Sequence, residues 1–214
     1  MRASKVLDML NKGMYDELEL YLRDEIFTEA LTRSKGNDVK KRYAAMKKYF
    51  SYVVSSRKAC QKPCKVNYEG VVYTSFCNSY SLVLTSEQPG AIELFDDSHD
   101  GTYPNTTRLI NRDGMGHEIN FSKILAEAKS KGYRLKKSEV ISNGYLLHYD
   151  GAYFRMGLLD ISYSIINDGK DSTVYHKEGN SGSPITIVNE LGYAVIMPVR
   201  LEDGPEEGCV VIEV

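Results

Sequence analysis

A helix-length hydrophobic pattern followed by runs typical of β-strands occurs twice in this chain, once after Asp38 and again after Tyr153. The helical parts place apolar residues at the spacing of one helix face, and the strand parts are rich in β-branched and aromatic residues between short turns. This alternation predicts an α+β fold. The predicted strands are 66–68, 71–76, 80–85, 140–149, 173–176, 184–188 and 193–199, with a further candidate at 91–94.

The remaining patterns suggest how the chain is divided. Its 214 residues, of which 42% are hydrophobic, are enough for one buried core plus a small helical attachment. One further helix is predicted at 120–131, and the helix of the second repeat is predicted at 153–166. We therefore predict a helical N-terminal region at 1–37, an α+β domain at 38–201, and an acidic C-terminal tail at 202–214.

Composition excludes several classes of protein. The sequence has no apolar run long enough for a signal peptide or a bilayer span, so we expect a cytoplasmic protein without a membrane partner. The cysteines have no paired zinc-site spacing and no phosphate-binding glycine loop occurs, so we predict no cofactor. Cys60 and Cys64 alone leave a metal site as the lesser alternative to reduced thiols.

Basic residues are concentrated in two stretches, although the net charge is only −2. Between Arg33 and Lys65 there are eleven Lys or Arg and a single acid, Asp38. A second cluster of basic residues lies within 129–137. Such a surface either contacts the phosphates of duplex DNA without reading its bases or is simply solvated. The candidates for DNA contact are Lys40, Lys47, Lys48, Arg57, Lys58, Lys62, Lys129, Lys131 and Arg134.

A Gly- and Ser-rich stretch, Gly179-Asn180-Ser181-Gly182-Ser183-Pro184, resembles the nucleophile loop of trypsin-like proteases. Those enzymes place His and Asp well before Ser on two β-barrels, whereas sixty mostly helical residues precede the strands here. We therefore favour a hairpin loop, which Gly, Ser and Asn form readily. Other histidine groups are weaker site candidates: His148 with Asp150, and His99 with Asp96, Asp97 and Asp100.

The three segments 73–84, 103–110 and 192–201 resemble, in this order, segments of the sliding clamps of bacterial DNA polymerase III. The stretch 192–201 ends in Met197-Pro198-Val199-Arg200-Leu201, which is similar to the last clamp strand. A Pro near the end of a strand is uncommon, because it lacks the backbone N–H that would donate a hydrogen bond to the neighbouring strand. Residues 103–110 resemble the segment that opens the third clamp domain. Residues 73–84 resemble a clamp hairpin, and 153–166 a clamp helix.

In the clamps, these segments meet around a hydrophobic pocket that captures a short peptide of polymerases and other client proteins. The resemblance therefore implies such a pocket here, with an adaptable Met and Leu floor and with arginines that bind a carboxylate or carbonyl at the rim. The implied pocket residues are Asn78, Tyr80, Leu82, Pro104, Arg108, Leu109, Val195, Met197, Pro198, Val199 and Arg200.

The resemblance covers roughly 65–201 and implies a non-enzymatic, clamp-like binding protein of a bacterium, a phage or another mobile element. Its partners would be peptide motifs of replication or repair proteins. The chain is shorter than a clamp subunit, so a ring around DNA would need an oligomer. Two other interpretations stay open: a serine hydrolase that uses Ser181, and a clamp-fold inhibitor or structural protein without a working pocket.

Overall fold

A computed structural model describes residues 3–15, 17–18, 21–22, 25, 29, 36–52, 63–87, 106–112, 116–201 and 204–214. Within these ranges four α-helices are defined: α1 (Ala3–Asn11), α2 (Asn37–Tyr52), α3 (Phe121–Ser130) and α4 (Met156–Ile166). Short 3-10 turns occupy Thr106–Leu109 and Lys137–Glu139. The predicted strand at 91–94 lies outside the described residues.

The strands form two sheets, and the α+β prediction is confirmed. The large sheet has the order β1-β2-β3-β9-β8-β7-β4 and is antiparallel throughout, whereas the small sheet has the order β10-β5-β6 with β10 parallel to β5. The strands are β1 (Cys64–Tyr68), β2 (Val71–Cys77), β3 (Ser81–Thr85), β4 (His117–Ile119), β5 (Tyr145–Tyr149), β6 (Ala152–Arg155), β7 (Ser172–Tyr175), β8 (Ile185–Asn189), β9 (Gly192–Ile196) and β10 (Val210–Glu213).

Two similar units make up most of the large sheet. In each unit a helix, α2 or α4, precedes a three-stranded meander, β1-β2-β3 or β7-β8-β9. The units join where β3 pairs antiparallel with β9, from Ser81 opposite Ile196 to Thr85 opposite Gly192. At Gly192 a Cβ would lie only 1.9 Å from the Leu84 carbonyl oxygen, so this close pairing requires glycine.

The main core lies on the helical face of the large sheet. Every side chain of α4 except Ser164 is buried, because the helix lies between the sheet and α2. Helix α3 begins where the Asn120 side chain accepts a hydrogen bond of 2.8 Å from the Lys123 amide. Its apolar residues Phe121, Ile124, Leu125 and Ala128 are all buried, as their spacing predicts.

The opposite face of the large sheet carries a second, smaller cluster of buried apolar residues. Five partly buried residues pack against this cluster: Val66, Tyr68, Tyr73, Ile110 and Val188. The β3–β9 pair is therefore covered on both faces, which explains why both strands are fully buried. The members of the second cluster are Cys77, Leu82, Leu84, Tyr193 and Val195.

The structure corrects several predicted boundaries. Tyr153–Arg155 are the end of β6 and not the start of a helix, because they pair with β5 across the turn at Asp150 and Gly151. Residues 140–144 precede β5 and are not strand. Within the segment predicted as an acidic tail, Val210–Glu213 pair with β5 and Ile212 is fully buried.

Candidate peptide-binding site

The turn between β2 and β3 is rigidly held. The Asn78 side-chain oxygen accepts hydrogen bonds from the amides of Tyr80 (2.7 Å) and Ser81 (2.6 Å). From α2, the buried Tyr49 hydroxyl lies 2.9 Å from the Ser81 hydroxyl. Asn78 is itself buried and acts as the cap of the turn, while the Tyr80 side chain is 45% exposed at its tip.

The segment that follows β9 connects the two sheets. The Met197 amide donates to the Tyr80 carbonyl (2.9 Å), which continues the β3–β9 pairing by one step. Pro198 has no amide hydrogen to continue the ladder, and the Val199 amide instead donates to the Tyr153 carbonyl of β6 (2.7 Å). Met197 and Pro198 are half-buried and Val199 is buried, so this segment is fixed beside the hairpin tip.

A third predicted segment lies on the same sheet face as the second cluster. Leu82, Val195 and Thr186 form one row across β3, β9 and β8. The Asn111 amide donates to the Thr186 hydroxyl (3.4 Å), and Ile110 packs against the Leu82 and Val195 cluster. The three segments singled out in the sequence therefore adjoin the β3–β9 pair.

The predicted pocket residues differ in accessibility. Leu82 and Val195 are almost completely buried, so they form the packed base beneath the surface and not its lining. Arg108 and Arg200 are exposed, and Leu109 is 43% exposed. Pro104 lies outside the described residues. Among the described members of the predicted set, the accessible apolar residues are thus Tyr80, Met197, Pro198 and Leu109.

Arg155 also belongs to this region, although no local sequence pattern points to it. It is half-buried at the end of β6, with its guanidinium 5.4 Å from the centre of the Tyr80 ring. Its Nε donates to the Asn143 side-chain oxygen (3.0 Å). Burial lowers the pKa of the guanidinium, because desolvation disfavours its charged form. Only the fold brings this cation to the hairpin tip.

The protease-like loop between β7 and β8 contains part of a hydrolase geometry. His176 Nδ1 lies 2.9 Å from an Asp150 carboxylate oxygen, but Nε2 lies 3.2 Å from the Ser183 carbonyl oxygen. A general base needs Nε2 at the serine hydroxyl. Within the described residues no hydrogen bond joins the exposed Ser181 to His176, and the histidine instead ties this loop to the β5–β6 turn.

The other described histidines lie in separate surroundings. His148 Nδ1 lies 2.6 Å from Glu213 of β10, and its ring stacks on Tyr153 at 4.6 Å. His117 is exposed on β4, and His99 with its neighbouring aspartates lies outside the described residues. Among the residues that the structure covers, no group of three His, Cys, Asp or Glu is arranged to hold a metal ion.

The two predicted basic clusters approach each other around Asp160. Lys48 of α2 and Lys129 of α3 both act electrostatically on this carboxyl, whose side chain accepts a hydrogen bond from Tyr133 (3.1 Å). Burial nevertheless raises the pKa of Asp160. A cavity of about 440 Å³ beside α2 is lined by Lys41, Arg42, Lys48, Leu135 and Asp168, among others.

The individual basic candidates are mostly accessible. Lys47 is half-buried, and the buried helix α4 offers no cation toward this surface. Arg57, Lys58 and Lys62 lie outside the described residues. The exposed candidates are Lys40, Lys48, Lys129, Lys131 and Arg134.

No protein-family model matches the chain, and neither a curated protein nor a solved structure matches it. Within the described ranges, no helix has the length and apolar character needed to cross a bilayer.

Proposed function

We propose that this protein is a non-enzymatic binding module of the sliding-clamp type, which captures a short peptide segment of a partner protein beside the hairpin tip. The observation that carries this proposal is the hydrogen bond between the Met197 amide and the Tyr80 carbonyl. It sets the end of the clamp-like last strand against the clamp-like hairpin. The apolar surface at this point includes an exposed aromatic ring and a flexible Met, which suit a peptide ligand.

The arrangement of the fold supports the same proposal. The resemblance implies units of a helix and antiparallel strands, and two such units share the β3–β9 pair. The segment 106–112 contacts the apolar cluster of this pair through Ile110, and the Asn111 amide donates to Thr186 of the neighbouring strand β8.

The test is direct peptide binding. An array of N-acetylated, C-amidated heptapeptides of varied composition is incubated with the wild-type protein, and the strongest peptides are measured by fluorescence anisotropy. We expect binding that Met197→Lys weakens at least about tenfold, because an ammonium group would replace a half-buried apolar contact. Circular dichroism shows whether the variant is folded.

Val72→Lys is the matched control, since Val72 is an exposed apolar residue at the other end of β2. It should leave peptide affinity within about twofold of the wild-type value. Equal binding by Met197→Lys and the wild type would contradict the proposal. That result would favour an inhibitor or structural protein that lacks a working pocket.

Sequence-independent DNA contact is a second candidate function, favoured by the exposure of Lys48 and Lys129, both of which act electrostatically on Asp160. Duplex binding should weaken as the salt concentration rises. The double variant with Lys48→Glu and Lys129→Glu should show a shallower slope of log K against log salt concentration, by about the amount expected for the loss of two phosphate contacts. Lys177→Glu, in the exposed β7–β8 loop, is the control. Absence of duplex binding at low salt removes this candidate.

The hydrolase alternative has the Asp150–His176 hydrogen bond in its favour, but His176 Nε2 faces a carbonyl oxygen. We therefore expect no labelling by a fluorophosphonate probe. Labelling of the wild type that is lost in Ser181→Ala would replace the binding proposal with an enzymatic one.

A further inference from the structure

Arg155 differs from the other arginines near the candidate site in its surroundings. Arg108 and Arg200 are exposed, whereas Arg155 is half-buried at the junction of β6 and α4. Exposed ion pairs contribute little to affinity because water and salt screen them. A partly desolvated guanidinium gains more from an added carboxylate, since less hydration is lost when the pair forms.

Among the residues that the structure describes, only part of the hydrogen-bonding capacity of Arg155 is used. Its Nε donates to Asn143, and the guanidinium lies against the Tyr80 ring. Among the described residues, no carboxylate forms a hydrogen bond or ion pair with Arg155. With Nε bonded to Asn143, a carboxylate would bind bidentately through the two terminal nitrogens of the guanidinium group.

The orientation of Arg155 is fixed before any ligand binds. Asn143 holds the Nε, and Asn143 is itself anchored because its carbonyl oxygen accepts from the Cys209 thiol (2.9 Å). Tyr80 is anchored in turn by the Met197 amide and the Asn78 side chain. A pre-positioned guanidinium loses little conformational entropy on binding, which increases its selectivity for an anionic group.

We propose that Arg155 determines specificity at this site by binding the side-chain carboxylate of an Asp or Glu in the captured peptide. This inference rests on the proposed peptide-binding function. The peptide backbone would lie on the exposed Tyr80 and Met197 surface, and an acidic side chain would reach the half-buried guanidinium beside the Tyr80 ring. A peptide C-terminal carboxylate would require the chain to end at this depth, so an internal acidic side chain fits better.

The experiment measures a preference and not only an affinity. Each N-acetylated, C-amidated peptide that binds the wild type is made in pairs, with Asp or Glu at one position in one member and Asn or Gln in the other. At one position we expect the acidic member to bind at least about tenfold more tightly, and to lose this advantage in Arg155→Met. Arg155→Lys, which keeps the charge but not the fork, should retain only part of it.

Arg134→Met and Lys177→Met are the controls, because both side chains are exposed and neither belongs to the candidate peptide site. Each should change the acidic preference by less than about threefold. Circular dichroism checks the fold of every variant, and if Arg155→Met does not fold, the partial loss in Arg155→Lys decides the question.

The outcomes distinguish a failure of the role proposed for Arg155 from a failure of the proposed peptide-binding function. If no peptide binds the wild type, both fail. If peptides bind but the acidic and neutral members are equal, or the preference survives in Arg155→Met, only the role of Arg155 fails. The neutral members are also made with a free C-terminal carboxylate, and tight binding of these peptides without any acidic side chain would overturn the role of Arg155 as well.

Discussion

Replacement of Gly192 by Ala tests the close pairing of β3 and β9 on which the candidate site depends. Gly192 has a φ of +149°, and a Cβ there would lie 1.9 Å from the Leu84 oxygen and 3.1 Å from the Thr85 Cα. These neighbours are backbone atoms of the paired strand and cannot rotate away. We expect Gly192→Ala to lower the free energy of unfolding by about 2–5 kcal/mol, from backbone strain plus the displacement of one strand.

Gly169→Ala is the matched control for the backbone term. Gly169 has a φ of +84°, but a Cβ there would meet no atom within 4 Å, so its cost should be only about 1 kcal/mol. Urea unfolding followed by tyrosine fluorescence measures both variants, since the chain has 16 Tyr and no Trp. If Gly192→Ala were no more destabilising than Gly169→Ala, the tight β3–β9 contact would be wrong.

Three further predictions concern the turn, the C-terminal strand and a buried carboxyl. Asn78→Ala leaves two amides of the β2–β3 turn without their acceptor and should cost about 1–3 kcal/mol in urea unfolding. Ile212→Ala should cost about 2–5 kcal/mol, whereas Val214→Ala, at a site that is 51% exposed, should cost less than about 0.5 kcal/mol; equal costs would mean that β10 is not packed. Burial raises the pKa of Asp160 in the folded state above its usual value of 3.8. The free energy of unfolding of the wild type should therefore fall as the pH rises from 3.8 to this raised pKa. Asp160→Asn should therefore be the more stable protein at neutral pH and lose this advantage in acid, and an advantage that persists unchanged below pH 3.8 would refute the assignment.

Elements with strong local periodicity could be predicted from the sequence. The pattern Phe121, Ile124, Leu125 and Ala128 identified α3 because a single helix face decides which of its residues are buried. The β2–β3 hairpin was equally predictable, since its β-branched and aromatic strands flank a turn that contains Asn.

Elements defined by distant partners could not be predicted in the same way. Val210–Glu213 lie among acidic residues, and only their parallel pairing with β5 makes them a strand. Tyr153–Arg155 continue directly into a helix, so their pattern indicated helix until β5 was known to pair with them. Short strands have little periodicity of their own, and tertiary pairing decides them.

The same distinction between local and distant determinants applies to the residues of the candidate site. A resemblance pointed to Tyr80 and Met197, and a backbone hydrogen bond joins these two residues. It did not distinguish the buried Leu82 from a lining residue, because accessibility depends on what packs above each strand. The contact between Arg155 and Tyr80 has no local sequence signal at all, since it arises only when β6 and the hairpin are folded together.

The joining of two meanders through β3 and β9 also has a kinetic consequence. Each meander joins strands that follow one another in the chain, through turns of two or three residues and the nine-residue loop 176–184, so we expect each to form early and independently. The pairing of Thr85 with Gly192 must instead close a very long loop, which makes it the slow, topology-limited step of folding. Until that step is complete, β3 and β9 are exposed apolar edges, and nascent or refolding chains should be most prone to aggregation at that stage.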